Sequence, residues 1–130
     1  MPDSEKPAAG SIPWRDLTVP DAEGLKDFYS AVVGWESEAV DMDGYSDFCM
    51  MTPTSGETVA GICHARGANE DLPPQWLVYI LVDNLDDSIA ACGEGGGSVI
   101  AGPRPLEDGR FCVIRDPAGA VCALFQAADG

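Results

Sequence analysis

Trp14, Asp16 and Thr18 stand two apart in the β-favouring run from Ile12 to Val19, so they share one face of an expected strand. An indole offers a flat apolar wall and an N–H that only donates, while a carboxylate accepts unless burial keeps it protonated. Together they suit a planar or cationic organic ligand, through stacking, cation–π contact and a charged acceptor, and Asp16 could act as a general base. The plainer alternative is that Trp14 packs and that Asp16 takes a structural hydrogen bond from a neighbour such as Tyr79, its counterpart in the second half of the chain.

Other reactive types are less suggestive. His64 is the sole histidine, and strand alternation points it away from the face of Cys63, so a solvated strand edge is expected rather than a nucleophile and its base. Arg104, Arg110 and Arg115 could grip an anion, but among 22 acidic residues salt bridging is the commoner fate. Cys49, Cys63, Cys92, Cys112 and Cys122 are odd in number and form no C-x-x-C pair. They read as reduced thiols filling the core of a cytoplasmic protein, not as a disulfide framework or a zinc clip.

The elements that position these residues follow from periodicity. After Pro20 and Asp21 the pattern becomes helical, with Leu25, Phe28, Tyr29, Val32 and Val33 on one stripe, Asp21 placed as N-cap and Gly34 as the stop. Strands are expected near Trp35 to Val40, over Asp47 to Met51 and over Thr58 to Cys63. After a surface linker from Ala65 to Pro74 the order repeats: strand Trp76 to Val82, a short helix capped by Asn84 and stopped by Gly95 to Gly97, then strands Ser98 to Ala101, Arg110 to Arg115 and Ala120 to Phe125. The last two are preceded by an expected Gly/Pro loop, Gly102 to Pro105.

Val19 and Val82, Gly34 and Gly97, Phe48 and Phe111, Cys49 and Cys112, Gly56 and Gly119, and Ala60 and Ala123 are all 63 positions apart. The chain therefore reads as an α+β domain of two tandem βαβββ modules, residues 12–64 and 75–127, after a flexible N-terminal tail over residues 1–11. One helix per module covers one sheet face, and the uncovered faces are expected to curl as a half-barrel around a shared cavity, the default ligand site. Phe48 and Met50, at strand spacing, are expected to contribute to its lining or to the core.

Composition bounds the partners. The 130 residues are 45% hydrophobic, and 22 acids against seven bases give a formal charge of −15. That field repels phosphate backbones and anionic headgroups, and no run is apolar enough for a membrane span or a secretory leader, so nucleic acid and membranes are not expected partners. The acidic surface is also what a saline habitat would select.

Leu17-Thr18-Val19-Pro20-Asp21, the helix end Phe28-Tyr29-Ser30-Ala31-Val32-Val33-Gly34-Trp35, and Arg115-Asp116-Pro117-Ala118-Gly119-Ala120 together resemble the glyoxalase/bleomycin-resistance proteins of the vicinal oxygen chelate superfamily. The resemblance runs from about Ile12 to Gln126. It implies the fold, a homodimer, and one of several activities: isomerase, lyase, dioxygenase, thiol transferase or non-catalytic binding of a small molecule. It also implies a divalent metal held by His, Glu or Gln, two from each module. The matching positions carry Trp14, Ala60 or by a one-residue slip Gly61, Leu77 or by a slip Trp76, and Ala123. None of these side chains binds a hard or borderline cation, so no metal or other cofactor is expected. The expected ligand-binding residues are Trp14, Asp16, Thr18, Phe48, Met50, Leu77, Tyr79 and Ala123, around a small organic molecule. A metal-dependent or acid–base enzyme of the same superfamily is the alternative.

Overall fold

The computed structural model describes residues 8–66, 69–106 and 108–127. They fold as two compact units, one formed by Trp14–Trp76, the other by the described parts of Leu77–Gly130 and Met1–Pro13. The first unit contains strand β1 (Trp14–Val19), helix α1 (Ala22–Val33) and strands β2 (Glu36–Asp41), β3 (Ser46–Met51) and β4 (Thr58–His64). Its strands are ordered β2-β3-β4-β1, antiparallel except for the parallel pair β1 and β4. A crossover through α1 and two following strands is what permits that parallel pair.

Helix α1 starts where the Asp21 carboxylate accepts the Gly24 N–H. It stops at Gly34, whose φ of 79° is open to glycine and whose N–H returns to the Ser30 carbonyl. The core between α1 and its sheet holds Leu17, Val19, Ala22, Phe48, Met50 and Ile62, with Leu25, Tyr29, Trp35 and Trp76 packed against them. The Trp76 indole N–H donates to the Tyr29 hydroxyl at 3.1 Å, so these two partly buried rings pair their polar tips.

The second unit continues with β5 (Trp76–Leu81), α2 (Leu85–Glu94), β6 (Ser98–Leu106), β7 (Gly109–Arg115) and β8 (Val121–Gln126), ordered β5-β8-β7-β6. Asn84 caps α2 by accepting the Asp87 N–H, and the Gln126 side chain accepts the Leu85 N–H at 2.7 Å, tying the helix start to β8. Leu85, Cys112 and Leu124 centre the core under α2, joined by Ile80, Val82, Ile89, Val99 and Ile114. The fold is thus α+β, with two successive βαβββ modules.

The structure differs from the sequence reading in three places. Strand β6 runs on to Leu106, through the expected loop at Gly102 to Pro105. The prolines are tolerated because β6 is an edge strand and its pairing with β7 shifts register between Val99 and Ala101 and again before Arg104. The expected N-terminal tail is held at its end: the Gly10 N–H donates to the Leu81 carbonyl and the Leu81 N–H to Ser11, while residues 1–7 of that tail lie outside the described residues.

Third, the 63-residue offset carries strand faces from β1 to β5 but not from β3 to β7. Phe48 lies opposite Ile62, under α1, whereas Phe111 lies opposite Phe125 and its neighbour Cys112 is the residue under α2. Side chains alternate with a period of two, so a one-residue difference in register puts matching residues on opposite faces.

Candidate functional site

The face of the first sheet turned away from α1 is set by the ladder. Asp16 pairs with Gly61, Gly61 with Cys49, and Thr18 with Cys63, while the intervening Leu17 and Ile62 point into the helix-side core. Trp14 joins this face two residues before Asp16, and its indole N–H donates to Asp16 Oδ2 at 3.3 Å. Gly61 makes the approach possible: a Cβ there would lie 3.1 Å from Trp14 Cζ2 and 3.3 Å from the Asp16 Cβ. The indole therefore rests against the β4 backbone, leaving an aromatic surface and a carboxylate side by side.

Thr18 is buried on the same face. Beyond it the Cys63 thiol is hydrogen-bonded to Asp47, and its pKa is pushed up first by burial, then by the Asp16 and Asp47 carboxylates. Burial and Glu38 push Cys49 in the same direction. Both shifts favour the protonated thiol over a thiolate nucleophile. Arg15, one residue out of phase, donates to the Val59 carbonyl at 2.9 Å and ties β1 to β4.

Phe48 and Met50, expected among the ligand-binding residues, sit elsewhere. Both belong to the core under α1, with Met50 fully buried, and Phe48 carries Lys26 of α1 above its ring at 4.8 Å. Their pairing with Ile62 and Ala60 puts them on the face opposite Trp14 and Asp16. The second unit presents its own uncovered face. Tyr79 pairs with Ala123, Leu77 stands two residues before Tyr79, and all three are buried, while Ile80 and Leu124 face α2. The Tyr79 ring lies 5.9 Å from that of Phe111.

The same register decides which residues occupy the positions of a chelate site. Gly61 rather than Ala60 shares the face of Trp14, and Leu77 rather than Trp76 shares that of Tyr79, since Trp76 packs on Tyr29. Trp14, Gly61, Leu77 and Ala123 offer no side-chain lone pair suited to a divalent cation. Among the described residues, no three of His, Cys, Asp and Glu converge as a metal-holding group.

One pair escaped the sequence reading. His64, expected at a solvated edge, is largely shielded: Asp47 Oδ1 accepts its backbone N–H at 2.8 Å and lies 3.2 Å from its Nδ1. The β3–β4 hairpin register was the signal that could have found it, because it brings Asp47 beside Cys63 and His64. Arg110 meets the expectation of a salt bridge, pairing with Asp86 at 3.2 Å.

Known proteins with similar sequences or folds extend these observations. The family model described as Glyoxalase/Bleomycin resistance protein/Dioxygenase superfamily matches residues 11–124. CFP32 of Mycobacterium bovis, named as glyoxylase-like, is 35% identical over 129 residues, which are 98% of this chain and 49% of that protein. The anthracycline biosynthesis protein DnrV of Streptomyces peucetius is 30% identical over 132 residues, 92% of this chain and 48% of its own length. The chain thus spans about half the length of these curated relatives. Among solved structures, a single-residue variant of Streptomyces coelicolor methylmalonyl-CoA epimerase, in complex with 2-nitronate-propionyl-CoA, superposes with a TM-score of 0.56 at 16% identity, covering 93% of this chain and 96% of that one. At that identity the likeness is one of fold.

Proposed function

Because the chain belongs to the glyoxalase/bleomycin resistance protein/dioxygenase superfamily, we propose that it is a small-molecule-binding member, with recognition centred on Trp14, Asp16 and Thr18. The observation that carries this reading is the indole seated over Gly61 with its N–H on the Asp16 carboxylate. A planar ring stacks on the exposed part of the indole, and a cationic or donor group meets the carboxylate. Leu77, Tyr79 and Ala123 form the corresponding apolar face of the second module, and Phe48 and Met50 support the first sheet from its helix side. The residues at the chelate positions do not fit a divalent metal, and the proposed recognition uses none.

An acid–base enzyme built on Asp16 is the second reading, supported by a part-buried carboxylate beside the Trp14 indole. A homodimer is the proposed working form, as the family resemblance implies. The free state of all five cysteines supports a reducing compartment such as the cytoplasm.

A screen of planar and cationic organic compounds, read by the indole N–H resonance of Trp14, tests the proposal. Hits should shift that resonance saturably and lose about tenfold in affinity in Asp16→Asn, the scale of one charge-assisted contact. Hits whose affinity is unchanged by both Trp14→Phe and Asp16→Asn would place recognition elsewhere. Turnover abolished by Asp16→Asn would favour the enzymatic reading.

A further inference from the structure

The first unit gathers basic and aromatic side chains on a second surface, on the helix side of the sheet where β4 ends. His64 pairs with Val19, whose side chain is in the core under α1, so the imidazole leaves the sheet on that side and away from Asp16. Ring contacts then form a continuous ladder. Lys26 lies 4.8 Å over the Phe48 ring, Phe48 is 6.5 Å from His64, Tyr45 meets His64 edge-on at 5.5 Å, and the Arg66 guanidinium lies 4.0 Å over Tyr45.

Three features make this ladder more than a packed edge. Asp47 Oδ1 holds both the His64 backbone N–H and Nδ1, which fixes the ring and leaves Nε2 as the nitrogen for an outside partner. The backbone after β4 is fixed as well, with Ala65 N–H on the Val19 carbonyl and Arg66 N–H on that of His64. Arg66 is exposed, and among the described residues it has no carboxylate partner, although the chain has 22 acids for seven Lys and Arg. A guanidinium carbon 4.0 Å over a tyrosine ring is restrained by that cation–π contact and loses less freedom on binding than an unsupported side chain.

We propose that His64 and Arg66, steadied by Asp47 and Tyr45, form an oxyanion-binding site that takes a carboxylate or phosphate group. Arg66 supplies a bidentate fork, and His64 donates from Nε2 in its imidazolium form, in which Nδ1 still serves Asp47, while Lys26 adds positive potential and is shared with Asp27 at 3.2 Å. The net charge of −15 repels free anions at long range, so affinity rests on these local donors and falls with added salt. This site is separate from the Trp14 and Asp16 face, and its test stands apart from that of the small-molecule reading.

Because His64 is the only histidine, its Cε1–H resonance in untagged full-length protein is a single reporter. Inorganic phosphate and malonate are titrated separately at constant ionic strength, with chloride as the balancing ion. The expected result is a saturable shift with at least one of them, and the tighter of the two identifies the group preferred. Arg66→Ala should weaken that binding about tenfold with an unchanged unfolding midpoint, and Arg66→Lys should fall between. A response no different from chloride, or equal affinity in Arg66→Ala, would overturn the proposal and leave the Asp47 and His64 pair as a brace of the β3–β4 hairpin. If Arg66→Ala lowers the unfolding midpoint, Tyr45→Leu, which removes the ring beneath the guanidinium, is titrated instead, and unchanged binding there overturns the proposal too.

Discussion

Replacing Gly61 by alanine tests the architecture of the Trp14 and Asp16 face most sharply. The new Cβ would stand 3.1 Å from Trp14 Cζ2, 3.3 Å from the Asp16 Cβ and 3.8 Å from the Phe48 carbonyl oxygen. Carbon contacts are most favourable at about 3.5–4.0 Å, so the indole and strand β1 must each give by a few tenths of an ångström. Overpacking of this kind costs about 1–3 kcal/mol. Removing a glycine from a strand returns about 0.5–1 kcal/mol of chain entropy. Because Trp14 is only part-buried and can tilt outward, the net loss is expected near the middle of the difference, about 1 kcal/mol. Tilting lengthens the 3.3 Å contact between the indole N–H and Asp16 Oδ2. Urea denaturation measures the first effect, and indole N–H spectra the second, with the Trp14 signal assigned by Trp14→Phe. Only the Trp14 resonance should move to the position of a weaker hydrogen bond, while that of Trp76, bonded to Tyr29 beneath α1, holds still. A stabilised variant with an unmoved Trp14 signal would refute the placement of the indole over β4.

Other perturbations follow from the same geometry. Met50→Ala should cost about 2–5 kcal/mol in urea unfolding while leaving the affinity of any Trp14 ligand unchanged, because Met50 is core and on the opposite face. Asp21→Ala removes the acceptor of the Gly24 N–H and should cost about 1 kcal/mol, read in the same way. The fully buried Cys112 thiol is pushed from 9.0 up to about 11, by burial first and then by Cys92 and Cys122. The folded state holds that proton more tightly than the unfolded chain, so its contribution is complete below the ordinary thiol value and is lost as pH rises from 9.0 to about 11. The full effect is on the order of 3 kcal/mol, and Cys112→Ala should flatten the fall in urea midpoint over that window. A variant as pH-sensitive as the parent would show that other groups control alkaline unfolding.

Much of the fold could be read from local chemistry. Asp21, Gly34 and Asn84 mark helix ends by groups that act within one turn, and the alternation Trp14, Asp16, Thr18 against Leu17, Val19 is kept by the structure. What failed was transfer between modules. Equal spacing of Phe48 and Phe111 suggested equal roles, yet one is under α1 and the other stands beside Tyr79. Spacing along the chain counts residues, whereas face depends on cross-strand register, and the shift between Met50 and Met51 is visible only once β3 meets β4. His64 illustrates the same limit: its partner is 17 residues earlier and depends on the hairpin, not on its neighbours. Gly102 to Pro105 read as a loop because prolines break ladders, and an irregular edge strand is where they do not.

The central claim is recognition of an organic molecule by Trp14 and Asp16 without a chelated metal. Its most direct test is metal content per chain by plasma mass spectrometry, on untagged protein grown with added zinc, nickel, manganese and iron and purified without chelators. The account predicts metal far below one equivalent, unchanged in Asp16→Asn. Metal near one equivalent per chain would contradict it, by showing that donors other than Trp14, Gly61, Leu77 and Ala123 build a chelate site.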